Sequence, residues 1–398
     1  MSPTAGSRPL LMIPGPVELS PGVVEAFSGP SPGHLAPALI ESFGRCLERM
    51  RQVWQAGADS QPFVIAGGGT AAMDMVVANL VEPGETAVVV NTGFFSDRLA
   101  EMLRRQGADV AEVRAGAVGD APALEEVELA LEDGPTKAMF ATHVDTSTGV
   151  RIDPEPLARM AREREIVSVF DGVCATAGES FHMDEWGADV YLTGSQKALG
   201  VPPGLALLVA SPAALAVRAR RRSAAPPMYL DWEQWLPIMD AYEQRRPSYF
   251  STPATNLILA LETALGEILE TGIETRIERH QHVARAMGSA WDALGLRPVP
   301  VRPELQAATL SALYVPDGVD AADVVAGAAR HGVIVAGGLH HEIRDRYFRV
   351  GHMGYSVTQN DLLLRTVRAV GEAVRDAGSE IDPLRAVAAA EGGLGEAG

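Results

Sequence analysis

Lys197 lies in the stretch Asp189-Val-Tyr-Leu-Thr-Gly-Ser-Gln-Lys-Ala-Leu-Gly-Val-Pro-Pro-Gly204, and its residue type is informative. Of 33 basic residues, only Lys137 and Lys197 are lysines; all the others are arginines. An amine can lose its proton and condense with an aldehyde to a Schiff base, whereas a guanidinium stays protonated. A chain that otherwise relies on arginine for positive charge therefore points to amine chemistry at Lys197. A chance surface lysine is the plainer alternative. The Thr-Gly-Ser before it and the Gly-Val-Pro-Pro-Gly after it do not read as a solvated helix face.

Two more segments complete a constellation. In Ala66-Gly-Gly-Gly-Thr70, Gly68, Gly69 and Thr70 lie between an apolar run and a helical pattern. Backbone amides there can approach an anion closely, with a helix N-terminus behind them. The spacing is neither that of the dinucleotide fingerprint nor that of a P-loop, and alone it could be a tight turn. In Val169-Phe-Asp-Gly-Val-Cys174, Asp171 stands where an apolar run ends. A carboxylate there serves as a cap or turn residue, or it faces a protonated heteroaromatic nitrogen and keeps it charged. Anion cup, strand-end carboxylate and reactive amine together describe a pyridoxal 5'-phosphate site.

The elements that must position these residues alternate. Strands are predicted at Phe63–Ala66, Ala87–Asn91, Asp109–Val113, Ala138–His143, Val167–Phe170, Val190–Thr193 and Leu205–Val209, with helices between several of them at Thr70–Val81, Ser96–Gln106, Ala123–Leu131 and Pro156–Arg164. That alternation implies an α/β fold with a mostly parallel seven-stranded sheet covered by helices on both faces. Ligands of such sheets bind at the carboxyl ends of the strands, where Asp171 and Lys197 fall. A long helical region after Pro253 runs towards Leu294. A smaller α+β unit follows, with strands near Thr309–Tyr314, Val333–Ala336 and Tyr347–Val350 and a helix at Gln359–Ala377. The expected division is an arm at 1–20, a large domain at 21–260, a linking helix at 261–285, a small domain at 286–385 and a frayed, flexible tail at 386–398.

Composition narrows the class. The net charge of −18 disfavours nucleic acid and anionic membranes as partners. The cluster Arg218, Arg220, Arg221 and Arg222 reads as cations at the negative end of their own helix dipole. Two distant cysteines, Cys46 and Cys174, and a start without an export-signal pattern suit a cytoplasmic protein without disulfides. No histidine spacing suggests a metal site.

In order along the chain, Met12-Ile-Pro-Gly-Pro16, Gly68-Gly-Thr-Ala-Ala-Met73, Thr142-His-Val-Asp-Thr-Ser-Thr-Gly149, Thr193-Gly-Ser-Gln-Lys-Ala-Leu199 and Arg349-Val-Gly-His-Met-Gly354 resemble the class V, fold-type I aminotransferases. The likeness is to the alanine–glyoxylate and serine–glyoxylate (serine–pyruvate) group and spans about Leu11 to Val370. It implies that Lys197 holds the cofactor as a Schiff base and shuttles a proton, and that Asp171 pairs with the pyridine nitrogen. Val173 would pack on the ring, Phe95 would stack on it and Thr146 would approach its phenolic oxygen. Gly68, Gly69, Thr70 and Gln196 would hold the phosphate, with Tyr249 and Thr252 reaching across a homodimer to the neighbour's cofactor. Arg349 would grip the substrate carboxylate, with Gly15 and His34 shaping the substrate pocket. The implied reaction is ping-pong transfer of the amino group of alanine or serine to glyoxylate or pyruvate.

The sequence departs from the family pattern at Phe95 (commonly tryptophan), Gly172, Cys174 and Gly33-His-Leu-Ala-Pro37. Among related activities, a cysteine desulfurase would need a nucleophilic cysteine in the C-terminal half, and none is present there. Pyridoxamine–pyruvate and 2-aminoethylphosphonate transaminases, and a non-catalytic binding subunit, remain as alternatives. Ureidoglycine–glyoxylate transaminases carry glutamine and asparagine at the positions of His34 and Tyr249.

Overall fold

The computed structural model describes residues 8–395 of the 398. Seven strands build the central sheet: β1 Gln61–Ala66, β2 Thr86–Asn91, β3 Asp109–Arg114, β4 Thr136–Thr142, β5 Val167–Asp171, β6 Val190–Gly194 and β7 Leu205–Ala210. Their order is β1-β7-β6-β5-β4-β2-β3. Only β7 runs antiparallel to its neighbours. Every residue of β5, β6 and β7 is buried, which is why these strands read as continuous apolar runs rather than alternating ones. The helices Gly69–Leu80, Phe94–Arg105, Leu124–Glu132 and Pro154–Glu163 connect the strands. Their apolar faces join one core with the sheet, including Met73, Leu99, Val127 and Leu157.

A second core surrounds a four-stranded sheet whose middle strands are β8 Leu310–Tyr314 and β9 Tyr347–Gly351. Met287, Trp291, Phe348 and Val367 fill it. The N-terminal arm belongs to this unit. Leu10–Leu11 pairs in parallel with Val333–Ile334, and Gly351 N donates to Met12 O at 2.8 Å. No helix among the described residues is long and apolar enough to cross a membrane.

Three local expectations are corrected. The long helical region is two helices, Thr255–Thr271 and Ile273–Ala293, broken at Gly272 with φ of 86°. The tail expected to fray from Ala386 is instead the helix Pro383–Gly395, with Ala386, Val387, Ala390 and Leu394 in the second core. Its small residues are packing devices: a Cβ on Gly393 would sit 2.9 Å from that of Ala286. Residues 396–398 of the expected tail lie outside the described part. Finally, the arginine cluster does not simply face its own helix dipole. Arg218 is buried against Asp231 (2.7 Å), and Arg221 donates to Ala78 O at 2.8 Å, satisfying the carbonyl end of the helix Gly69–Leu80.

Candidate active site

Lys197 follows β6 in a tight loop. Ser195 Oγ donates to Pro202 O at 2.7 Å and accepts from Leu205 N at 3.2 Å, which ties the loop to β7. Gly200, with φ of 72°, closes the turn by donating its N–H to Lys197 O at 2.8 Å. The lysine side chain is only 8% exposed, and its amine donates to the carbonyl of Pro14. Gly15 has no room for a side chain: a Cβ would fall 2.4 Å from Lys197 Cδ, on a backbone with φ of 86°. Burial lowers the pKa of this amine; the Arg349 charge acts in the same direction, while Asp171 opposes it.

Asp171 ends β5, in register with Thr142 of β4 and Leu192 of β6. Its Oδ1 accepts from Val173 N at 2.9 Å. With the side chain otherwise buried, desolvation pushes its pKa up to about 7. Gly172 beside it is explained by packing, since the ring of Tyr191 would lie 2.2 Å from a Cβ there.

Gly68 and Gly69 open the helix Gly69–Leu80. A Cβ on Gly68 would meet nothing within 4 Å, whereas one on Gly69 would meet Val173 Cγ2 at 2.6 Å. A Cβ on Gly194 would lie 2.8 Å from Gln196 Oε1 and 2.9 Å from Gly69 N, so these three residues converge on one spot. Gln196 Oε1 is buried without a partner. Turning the amide over places its donor there instead, the polarity an anion requires. Thr70 is exposed and accepts from Arg98 Nη1 at 3.0 Å.

The opposite rim is built by the turn after β4. Asp145 is completely buried and accepts from Phe95 N (3.1 Å), Ser147 N (2.9 Å) and Ser147 Oγ (2.5 Å). It thereby fixes the start of the helix Phe94–Arg105 against Thr146. Phe95 is half-buried, packed edge-on to Phe94. Thr146 is buried, and its carbonyl accepts from Arg349 Nη1 at 3.0 Å. Arg349, on β9, also donates from Nε to Gly337 O at 2.9 Å. Sequence reasoning passed over Asp145 and Arg98. The Asp-x-Ser spacing of Asp145 and Ser147, which forms a local side-chain turn, was the available signal for the first.

Lys197, Asp171, Gly15, Gly68, Gly69, Val173, Gln196, Phe95, Thr146 and Arg349 therefore line one region at the strand ends. His34, Tyr249 and Thr252 form a separate group within the chain. The rings of His34 and Tyr249 are 5.4 Å apart, and Tyr249 Oη lies 3.3 Å from Thr252 Oγ1.

A buried amine, a buried carboxylate and a glycine cup at a helix N-terminus, set at the strand ends of an α/β sheet, fit pyridoxal phosphate and define an enzyme that depends on it. Comparison with known proteins carries this to the family. Residues 32–361 match the family described as Aminotransferase class-V. Alanine–glyoxylate aminotransferase 1 of Saccharomyces cerevisiae is 38% identical over 363 residues, covering 88% of this chain and 94% of the yeast protein. L-aspartate–glyoxylate aminotransferase of Paracoccus denitrificans is 31% identical, covering 96% of this chain and 95% of that protein. The crystal structure of an alanine–glyoxylate aminotransferase from Nostoc sp. superposes with a TM-score of 0.86 at 31% identity, covering 94% of this chain and 97% of that one. The chain belongs to the class V aminotransferase family and is an aminotransferase.

Proposed function

We propose that this enzyme transfers the amino group of a small amino acid, alanine or serine, to a small 2-oxo acid, with glyoxylate favoured over pyruvate. The observation that carries the reading is Lys197: one of two lysines in the chain, buried at the strand ends beside Asp171 and Arg349. The names of relatives that are at least 30% identical over nearly the whole chain support glyoxylate as acceptor.

When bound, pyridoxal phosphate supplies an aldehyde that condenses with amines and a cationic ring that draws electrons from the substrate. The chain's residues do the rest. Lys197 Nζ, whose pKa burial lowers, is the nucleophile and then removes and returns the substrate α-proton. Asp171 pairs with the ring nitrogen, and the buried carboxylate favours the charged form of its partner. Gly68, Gly69, Thr70 and Gln196 take the phosphate on backbone and amide donors, with the helix dipole adding to the attraction. Val173 and Phe95 would hold the ring, and Thr146 would face its oxygen. The fork of Arg349 orients the substrate carboxylate.

Tyr249 and Thr252 complete the phosphate site of a neighbouring subunit, with His34 beside them. An exposed apolar face supports this homodimer. Phe27, Leu35, Met228, Tyr229 and Tyr249 are all exposed, and Asn256 Nδ2 bonds Phe27 O at 2.9 Å, joining two of the segments that carry them. A cytoplasmic location accords with two buried free cysteines. Half-reactions test the assignment: adding alanine or serine to the purified enzyme should convert the visible cofactor band to that of the amine form, and glyoxylate should restore it. A panel in which only an aminophosphonate or free pyridoxamine does so would reject it.

A further inference from the structure

On the seam between the two units, a cavity of about 600 Å³ opens beside the helix Ile273–Ala293. That is within the roughly 300–1,000 Å³ range of small-molecule sites. Its walls come from both sides: Arg151 and Glu179 from the large unit, Arg285, Gly288 and the strand β8 from the small one. None of these residues has a role in the transamination described above.

Glu179 makes this more than a packing gap. It is only 4% exposed, and its Oε1 accepts from Ala308 N. That backbone N–H is its single hydrogen-bond donor among the described residues, and none of them forms an ion pair with it. A carboxyl held in this way inside a protein normally has a second donor. Burial pushes it up to about 7, with Arg151 opposing. Arg285 lines the same cavity; its carbonyl accepts from Ser289 Oγ at 3.2 Å, and its side chain has no hydrogen-bond partner among the described residues. Its guanidinium has no ion-pair partner among the described residues. The helix turns a reduced face to this space: a Cβ on Gly288 would meet nothing within 4 Å. Pro300 and Leu310 supply apolar surface to the same cavity.

An amine-accepting carboxyl, a free guanidinium and an apolar wall fit one class of small molecule. We propose that the seam cavity binds a zwitterionic α-amino acid with an apolar side chain. Its ammonium bonds Glu179, its carboxylate bonds Arg285, and its side chain lies against Pro300 and Leu310. Ala312 of β8 also lines the cavity and pairs in register with Arg349. An occupant touching both units therefore biases how they sit together, and with it the position of Arg349.

The test uses the holoenzyme and α-methyl-L-phenylalanine, a probe without the α-hydrogen that transamination needs. Calorimetric titration is run in parallel with the visible spectrum of the cofactor, which reports any entry into the active site. Saturable heat with an unchanged spectrum is expected. Glu179→Gln should weaken that binding about tenfold, the loss of one charge-assisted hydrogen bond. Gly288→Leu, which fills the cavity from an unobstructed helix position, should abolish it with kcat unchanged. Absence of saturable heat, binding that survives Gly288→Leu, or heat that always accompanies a spectral change would overturn the proposal.

Discussion

Asp171→Asn should stabilise the cofactor-free protein at alkaline pH while it disables the enzyme. In the folded chain burial moves this carboxyl from 3.8 to about 7. The folded state then holds a proton that the unfolded chain has already released, so stability falls as pH rises from about 4 to about 7. Three pH units correspond to about 4 kcal/mol as an upper figure, of which about 2.5 kcal/mol falls between about pH 5 and about pH 8. Asparagine has no such proton. The stability of the wild type relative to the variant should therefore drop by on the order of 2 kcal/mol across that interval. Glu179, also raised to about 7 by burial, is present in both proteins and cancels in the comparison. Urea midpoints of the cofactor-free proteins at the two pH values measure the effect. Adding pyridoxal phosphate at the higher pH should reverse the order, because a cationic ring nitrogen compensates the buried carboxylate only in the wild type. Parallel pH curves for the two proteins would refute the reasoning.

Further expectations follow from the same geometry. Arg349→Ala should raise KM for the amino donor and the oxo-acid acceptor alike, by roughly ten- to a hundredfold, with a smaller effect on kcat, in steady-state assays of both half-reactions. Gly15→Ala forces a Cβ to within 2.4 Å of Lys197 Cδ on a left-handed backbone. It should cost about 1–3 kcal/mol and depress turnover, read from thermal unfolding and kcat. Mixing Lys197→Ala chains with Tyr249→Ala chains should regenerate up to half the wild-type activity per hybrid dimer, since one of its two sites would be intact. No recovery on mixing, despite subunit exchange, would remove Tyr249 from the neighbouring site.

Much of the sheet was legible because its strands are buried on both faces, so Val-Ser-Val-Phe at 167–170 or Leu-Ala-Leu-Leu-Val at 205–209 cannot be read as solvated helix. The placing of Asp171 and Lys197 at strand ends was legible for a related reason: both interrupt apolar stretches with the wrong polarity for a core. What escaped were features set by tertiary packing. The tail helix Pro383–Gly395 owes its order to contacts with the helix Ile273–Ala293, and composition alone suggested fraying. Asp145 is hidden in a turn of small polar residues, and only its buried bonds to Phe95 and Ser147 distinguish it. Gly172 looked like an unexplained departure until Tyr191 was seen to occupy the space.

With only two lysines in the chain, the central claim can be put to a clean chemical test. Lys137 lies at the opposite end of its strand from the site, half-buried and 3.7 Å from Glu85. Reducing the holoenzyme with borohydride and mapping peptides by mass should place the pyridoxyl phosphate on Lys197 alone, with loss of the visible band. The label on Lys137, or an unlabelled chain that still transaminates, would contradict the account.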